Sequence, residues 1–539
     1  MPFMLPDKQT DSTSSLQTLL QMFVPTALLC CIVAFIWPFF QYYVDPDAIS
    51  YLNITAKYVA GDYTHAVNAF WSPMGCWMTA LLVKFTAWPL FKSAIIVNTI
   101  PAAGMVFAGQ YLFAKFRKHP WERWCFGLMS AVFWSYTTYF QAFTDIWQFF
   151  FLTIGLLILL KRNFTAKPLW WMILGIIGCL SFFGKAYSFV FFPVMIIVIT
   201  AVRLFAEGNF KIKKLFVISL ISIGIMMIGI APWVYLLHEK YNIWTYSTAG
   251  KLNMSWWLVG TQEFRPEIKA LVPPPYKGSL FYFEDPYVAQ GSFVHFWDNT
   301  HLFIKQIARV GYNVIGWVES VNRISAFYFL IWLLCILFFI RKKQTFFQST
   351  NLKILVIMLL IFPLPYWLLT FDRGRYLWGT IPIISIIGLY MADVFIRPKI
   401  KERWYRYFVV VFFLTFIITP ISDMKEMYKV GYNEHEVGEQ LRQMHISGSF
   451  ISNKSYADAC TQMIQVSWFS QNPWYCHTLN NYSTKELLED AARYHVKYYF
   501  YFYDGTGEDF QLKDLNGNLL KDLTANAIKG LKVFQIAAE

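Results

Sequence analysis

Residues 19–50 read LLQMFVPTALLCCIVAFIWPFFQYYVDPDAIS. From Leu19 to Phe40 no side chain is charged, and a helix rising ~1.5 Å per residue over that stretch crosses the ~30 Å hydrocarbon core of a bilayer. Two carboxylates, Asp45 and Asp47, follow directly, where a spanning helix meets water. The residues before it, MPFMLPDKQTDSTSSLQ, are polar and lack the basic start, short apolar core and small-residue cleavage site of a signal peptide. The first span is therefore expected to be retained, with the N-terminus on the cytoplasmic side.

The rest of the chain agrees with this reading. Of 539 residues, 56% are hydrophobic, 20% aromatic and only 15% charged, and the mean hydropathy is +0.40. That is more apolar than a soluble domain of ordinary composition. The formal charge of +13 would suggest nucleic acid in a soluble protein, but its source is local. Lys115, Arg117, Lys118 and Arg123 form one short cluster between apolar runs. Others are Lys161, Arg162 and Lys167; Arg203, Lys211, Lys213 and Lys214; Arg341, Lys342 and Lys343; and Arg397, Lys399, Lys401, Arg403 and Arg406. Such clusters mark cytoplasmic loops, and nucleic acid is not an expected partner.

Spans are expected near 19–40, 92–113, 125–141, 146–160, 170–183, 188–204, 215–237, 325–340, 353–370, 376–396 and 407–421, about eleven transmembrane helices. This register puts every basic cluster on one side. The segment WSPMGCWMTALLVKFTAWPLF, residues 71–91, would break the register as a span and is read as an interfacial helix. Residues 1–421 then form an α-helical polytopic membrane domain with a first outer loop at 41–91 and a long outer loop at 238–324. The long loop contains LVPPPYKG, a proline-rich run that reads as an extended or mobile flap. Residues 422–539 are polar. HEVGEQLRQMH has helical spacing, GSFISN reads as a strand, and STKELLEDAARYHVKYYFYFYDG as a capped helix feeding an aromatic strand. A small C-terminal α/β domain on the outer side is expected. Of the eight cysteines, only Cys460 and Cys476 lie in this polar region, where a disulfide would suit an oxidising compartment.

The chemistry is expected on the outer side. Asp45 or Asp47 could simply cap the helix that follows, with Pro46 near its first turn. Asp145, in YFQAFTDIWQFF, lies in a turn between two spans. Lys185, in FFGKAYSFVFF, lies in another such turn, and Arg373 and Arg375, followed by Tyr376, in LTFDRGRYLW, in a third. Charges at the membrane edge are costly enough to be functional candidates by default. Together they suit group transfer from a phosphate-activated donor: an acid takes the proton of an acceptor hydroxyl while cations hold the departing phosphate. That scheme requires these distant residues to gather at one outward-facing pocket. His238 and Glu239, in LLHEKY, are where a divalent cation would look for ligands. A lone His beside a Glu at a helix end is read as interfacial instead, so no metal site is assigned. Glu284 and Asp285 in the long loop are read as solvated, and aromatic runs such as SFFGKAYSFVFFP as belt residues.

In the order DPDAISYLNITAKYVAGDY, AFWSP, FTDIW, GKAYS, APWVYLLHEKYNIWTYSTAGKLNMSWW and RYLWGTIPII, the chain resembles the C-type (GT-C) membrane glycosyltransferases. It is most like glycosyltransferase family 39, the bacterial relatives of protein O-mannosyltransferases and aminoarabinose transferases. The resemblance implies a GT-C fold in the inner membrane and a polyprenyl-phosphate sugar as donor. It implies inverting transfer on the periplasmic side to a hydroxyl of a glycan, lipid or protein acceptor. It places the catalytic base on Asp47, with Asp45 as alternative because Ala48 stands where the family has a Glu. Asp145 becomes the second acid, and Lys185, Arg373, Arg375 and Tyr376 contact the substrate. The rivals are a transporter or flippase for lipid-linked glycans, which would show inverted repeats, and a polysaccharide polymerase or ligase.

Overall fold

The chain is an α-helical, multi-pass membrane protein. A computed structural model describes residues 15–139, 144–208, 210–259, 270–290, 293–341, 349–369, 371, 374–477, 482–505, 507 and 509–537. Among them, seven helices are long and apolar enough to cross a membrane, and an eighth candidate is a helix pair bent by 113°. Each of the eleven expected segments contains a helix, and so does the expected interfacial segment, over Met74–Thr86.

The helices fall into two compact units of interleaved sequence. The first comprises residues 1–38, 72–246 and 306–426. Its helices are α1 (Ser15–Phe40, whose last two residues belong to the other unit), α3 (Met74–Thr86), α4 (Leu90–Phe116), α5 (Pro120–Tyr139), α6 (Asp145–Leu159), α7 (Pro168–Gly184), α8 (Ser188–Ala206) and α9 (Ile212–Tyr241). After them come α11 (Thr300–Ile324, mostly in this unit), α12 (Tyr328–Arg341), α13 (Thr350–Ile361), α14 (Leu364–Leu368), α15 (Ile381–Phe395) and α16 (Glu402–Met427). Side chains without charge dominate their contacts, so close approach depends on small residues. At Gly175, α7 lies so near α9 that a Cβ would stand 2.4 Å from the Ser222 carbonyl.

The basic clusters are not all loose headgroup anchors. The buried Arg117 guanidinium forks onto Glu122 with two bonds of 2.8 Å, and reaches Asp393 at 2.5 Å. Asp393 also accepts from the Tyr405 hydroxyl at 2.6 Å. Glu122 is fully buried, so this bidentate pairing is what makes its charge tolerable. It ties the adjoining ends of α4 and α5 to α15 and α16.

The second unit comprises residues 39–71, 247–305 and 427–539. It holds α2 (Pro46–Ala60), α10 (Ala249–Val259), α17 (Tyr432–Gln443), α18 (Tyr456–Ser470) and α19 (Thr484–Arg493). Strands β2 (Phe450–Ser452), β4 (Tyr498–Phe502) and β5 (Leu531–Gln535) form one sheet, β2 parallel and β5 antiparallel to β4. The expected tail elements are present: α19 opens with a capping box between Ser483 and Glu486 and feeds β4. The proline-rich run is extended at its start, but anchored there. Its first residues form β1 (Leu271–Val272), antiparallel to β3 (Cys476–His477); both are apolar and buried, Leu271 within the tail core. Elsewhere in the long loop 238–324, α10 and α11 are helices that the sequence reading did not expect. Cys460 and Cys476 are both thiols, so the disulfide is not formed, and burial pushes the Cys460 thiol up to about 12.

Candidate active site

Four residues singled out from three separate turns converge in the first unit. Asp145 is the first residue of α6 and is 1% exposed; an acid there suits the positive end of the helix. Lys185 is the residue at which α7 ends, and its ammonium pairs with Asp145 Oδ1. Arg375 Nε lies 3.3 Å from Asp145 Oδ2. The Lys185 ammonium also sits 4.1 Å from the Tyr376 ring centre, close enough for the ring face to attract the charge. Two cations thus face one carboxylate in a largely dehydrated place, an arrangement that favours an anionic ligand.

Gly184 makes the Asp145–Lys185 pair possible. A Cβ on it would meet Gln148 N at 3.0 Å and Trp147 Cβ at 3.1 Å, so α7 ends flush against the first turn of α6. Gly184→Ala is expected to push the two apart and to lower stability by roughly 1 kcal/mol. A thermal melt of the purified variant would check it, and an unchanged melting temperature would deny the glycine this role.

An aromatic stack completes the cluster. The Tyr376 ring lies 4.9 Å from Tyr366 at 9°, and Tyr366 lies 4.3 Å from Tyr187 at 8°. The Tyr187 hydroxyl donates to the Phe362 carbonyl at 2.5 Å. Neither Tyr187 nor Tyr366 was expected. Tyr187 lies in the run read as aromatic belt and instead packs inward; its place two residues after Lys185 was the signal. Tyr366 follows Pro363 and Pro365, which break the helix there. Arg373 lies outside the described residues.

Asp45 and Asp47 belong to the second unit. Asp45 is the cap of α2: its Oδ1 accepts from Ala48 N at 3.0 Å, and it is 4% exposed. Asp47 lies in the first turn of the same helix and is half-buried. Its charge is near enough to Cys460 to add to the rise that burial causes there.

Glu284 and Asp285 are not solvated: both are 0% exposed. The Glu284 carboxylate pairs with Lys57 of α2. It also accepts from Asn53 Nδ2 at 3.3 Å, from the Tyr276 hydroxyl at 3.2 Å and from Leu280 N at 3.1 Å. The Glu284 carbonyl takes Asn68 Nδ2 at 2.9 Å. Burial holds the Tyr276 hydroxyl well above the ordinary phenol range, so it is a donor. The sequence showed only two acids in a polar loop; nothing local told that Lys57, far away in the chain, completes the group. His238 stacks on Trp244 at 4.0 Å. Among the described residues no three His, Cys, Asp or Glu side chains converge as metal ligands would.

No family model matches the chain, and no curated protein matches it in sequence. A solved structure does: ArnT from Cupriavidus metallidurans bound to undecaprenyl phosphate aligns over 98% of this chain and 99% of that one, with a TM-score of 0.52 at 10% identity. The chain shares the fold of that protein. The alignment runs almost end to end and so covers the membrane helices and the polar tail alike. The GT-C resemblance carried by short motifs in the sequence is therefore matched by the fold.

Proposed function

We propose that the protein is a membrane glycosyltransferase that takes a sugar from a polyprenyl-phosphate donor. The observation that carries this is the convergence of Asp145, Lys185, Arg375 and Tyr376. The architecture shared with ArnT, itself solved with undecaprenyl phosphate, supports it. In this reading Asp47 accepts the proton of the acceptor hydroxyl, whose oxygen forms the new bond to the anomeric carbon. The bond from that carbon to the phosphate oxygen breaks with inversion, and the electron pair leaves with the polyprenyl phosphate. Lys185 and Arg375 meet the phosphate charge as it develops, while Asp145 orients both. Asp45 is left to its cap. The reaction takes place on the periplasmic side of the inner membrane, and the acceptor is a hydroxyl of a glycan, a lipid or a protein.

The test is undecaprenyl phosphate titrated into the purified protein in nanodiscs. Binding is expected, and Lys185→Met should weaken it by about thirtyfold, roughly 2 kcal/mol for one lost charge-assisted contact. Wild-type protein that ignores the lipid would refute the assignment.

A further inference from the structure

The functional reading uses Arg375 and Tyr376, which stand in a 3₁₀ turn (Gly374–Thr380) shortly after α14. In α14 the N–H of Trp367 bonds Pro363 O and that of Leu369 bonds Pro365 O. The next three carbonyls, of Tyr366, Trp367 and Leu368, stand at the helix end, where intrahelical partners run out. All three are taken by side chains of α11. Asn313 Nδ2 donates to Trp367 O at 3.0 Å and Tyr366 O at 3.5 Å, and Gln306 Nε2 donates to Leu368 O. Asn313 Oδ1 in turn accepts from Phe371 N at 3.1 Å. The side chain of Asn313 is 0% exposed, and one amide thus closes the polar groups on both sides of the break.

Other contacts follow the same line. Trp317 packs edge-on to Trp367 at 5.1 Å, and a Cβ on Gly374 would stand 3.3 Å from Ser320 Cβ. One face of α11 therefore lies beside Tyr366, Trp367, Leu368, Phe371 and Gly374. We propose that Asn313 is a positioning residue for the phosphate-binding cluster: by bonding the main chain of Tyr366, Trp367 and Phe371 it sets the Tyr366 and Tyr376 stack and the place of Arg375. This rests on the functional reading above. Asn313 touches none of the four cluster residues by a side-chain hydrogen bond; it acts through the main chain.

A buried amide deleted from a merely structural position lowers stability and leaves the affinity of the folded protein alone. A positioning residue changes that affinity, and does so only while the group it positions is present. The experiment uses the full chain in nanodiscs and undecaprenyl phosphate as probe, with Asn313→Leu alone, Arg375→Ala alone, and the pair. Asn313→Leu should weaken binding about tenfold in the wild-type background and less than about twofold when Arg375 is already Ala. Amide hydrogen exchange of residues 374–380 should quicken in Asn313→Leu, with α6 and α7 unchanged. Equal affinity to wild type, or an equal loss in both backgrounds, would overturn the proposal, as would unaltered exchange of 374–380. Where Asn313→Leu does not fold, Asn313→Ser and Gln306→Leu carry the same comparison. If wild-type protein does not bind the lipid, the functional reading fails and the exchange measurement alone decides the clamp.

Discussion

Replacing Asp47 with Asn is expected to slow sugar transfer by about 10²–10⁴-fold, the usual contribution of a positioned general base. Asn has nearly the shape of Asp but cannot take a proton, so insertion and folding should be untouched. The parallel change Asp45→Asn gives the contrast. Asn caps a helix about as well as Asp, and the bond from Ala48 N to the residue 45 side chain survives it, so transfer should stay within a few-fold of wild type. Membranes from cells making each variant would be assayed for polyprenyl phosphate released from their lipid-linked sugars. If Asp45→Asn were the silent enzyme and Asp47→Asn the active one, the roles of the two acids would be exchanged. Full activity in both would remove the first outer loop from the chemistry.

Glu284→Ala is expected to be the most damaging change to stability, lowering it by about 3–5 kcal/mol, because it strands the Lys57 charge in a buried place. Three further donors, from Asn53, Tyr276 and Leu280, lose their acceptor at the same time. Glu284→Gln keeps the shape and part of the hydrogen bonding and should cost less. The pair Lys57→Met with Glu284→Leu should recover much of the loss, since an apolar pair of similar volume avoids the desolvation of both charges. Thermal melts followed through the second unit, with limited proteolysis of the segment 270–290, would measure this. A melt for Glu284→Ala within about 0.5 kcal/mol of wild type would mean that water already reaches the carboxylate.

The membrane character of the chain, its run of helices and the capped helix and strand of the tail were legible because they rest on local signals. A run of apolar residues from Leu19 to Phe40 is a spanning helix in any sequence, and Ser483 with Glu486 three residues later marks a helix start wherever it occurs. Lys185 and Asp145 were legible as suspects for a similar reason: a charge set between apolar runs needs an explanation on the spot. Glu284 misled because its surroundings in sequence are polar. Its burial comes from Lys57 and Asn53 on α2 and from Tyr276 and Leu280 close by, and only the first two are beyond the reach of local pattern.

By itself the sequence therefore determined that the protein crosses the bilayer many times, where the apolar helices lie, and which charges stand at helix ends. Those properties follow from hydropathy, capping and propensity over a few neighbouring positions. Only the tertiary structure decided that Asp145, Lys185, Arg375 and Tyr376 share one cluster, that Tyr366 and Tyr187 extend it, and that Asn313 holds its backbone. Ion pairs, ring stacks and buried amide bonds act over a few ångströms of space, whatever the number of residues between the partners, and chain order does not record such distances.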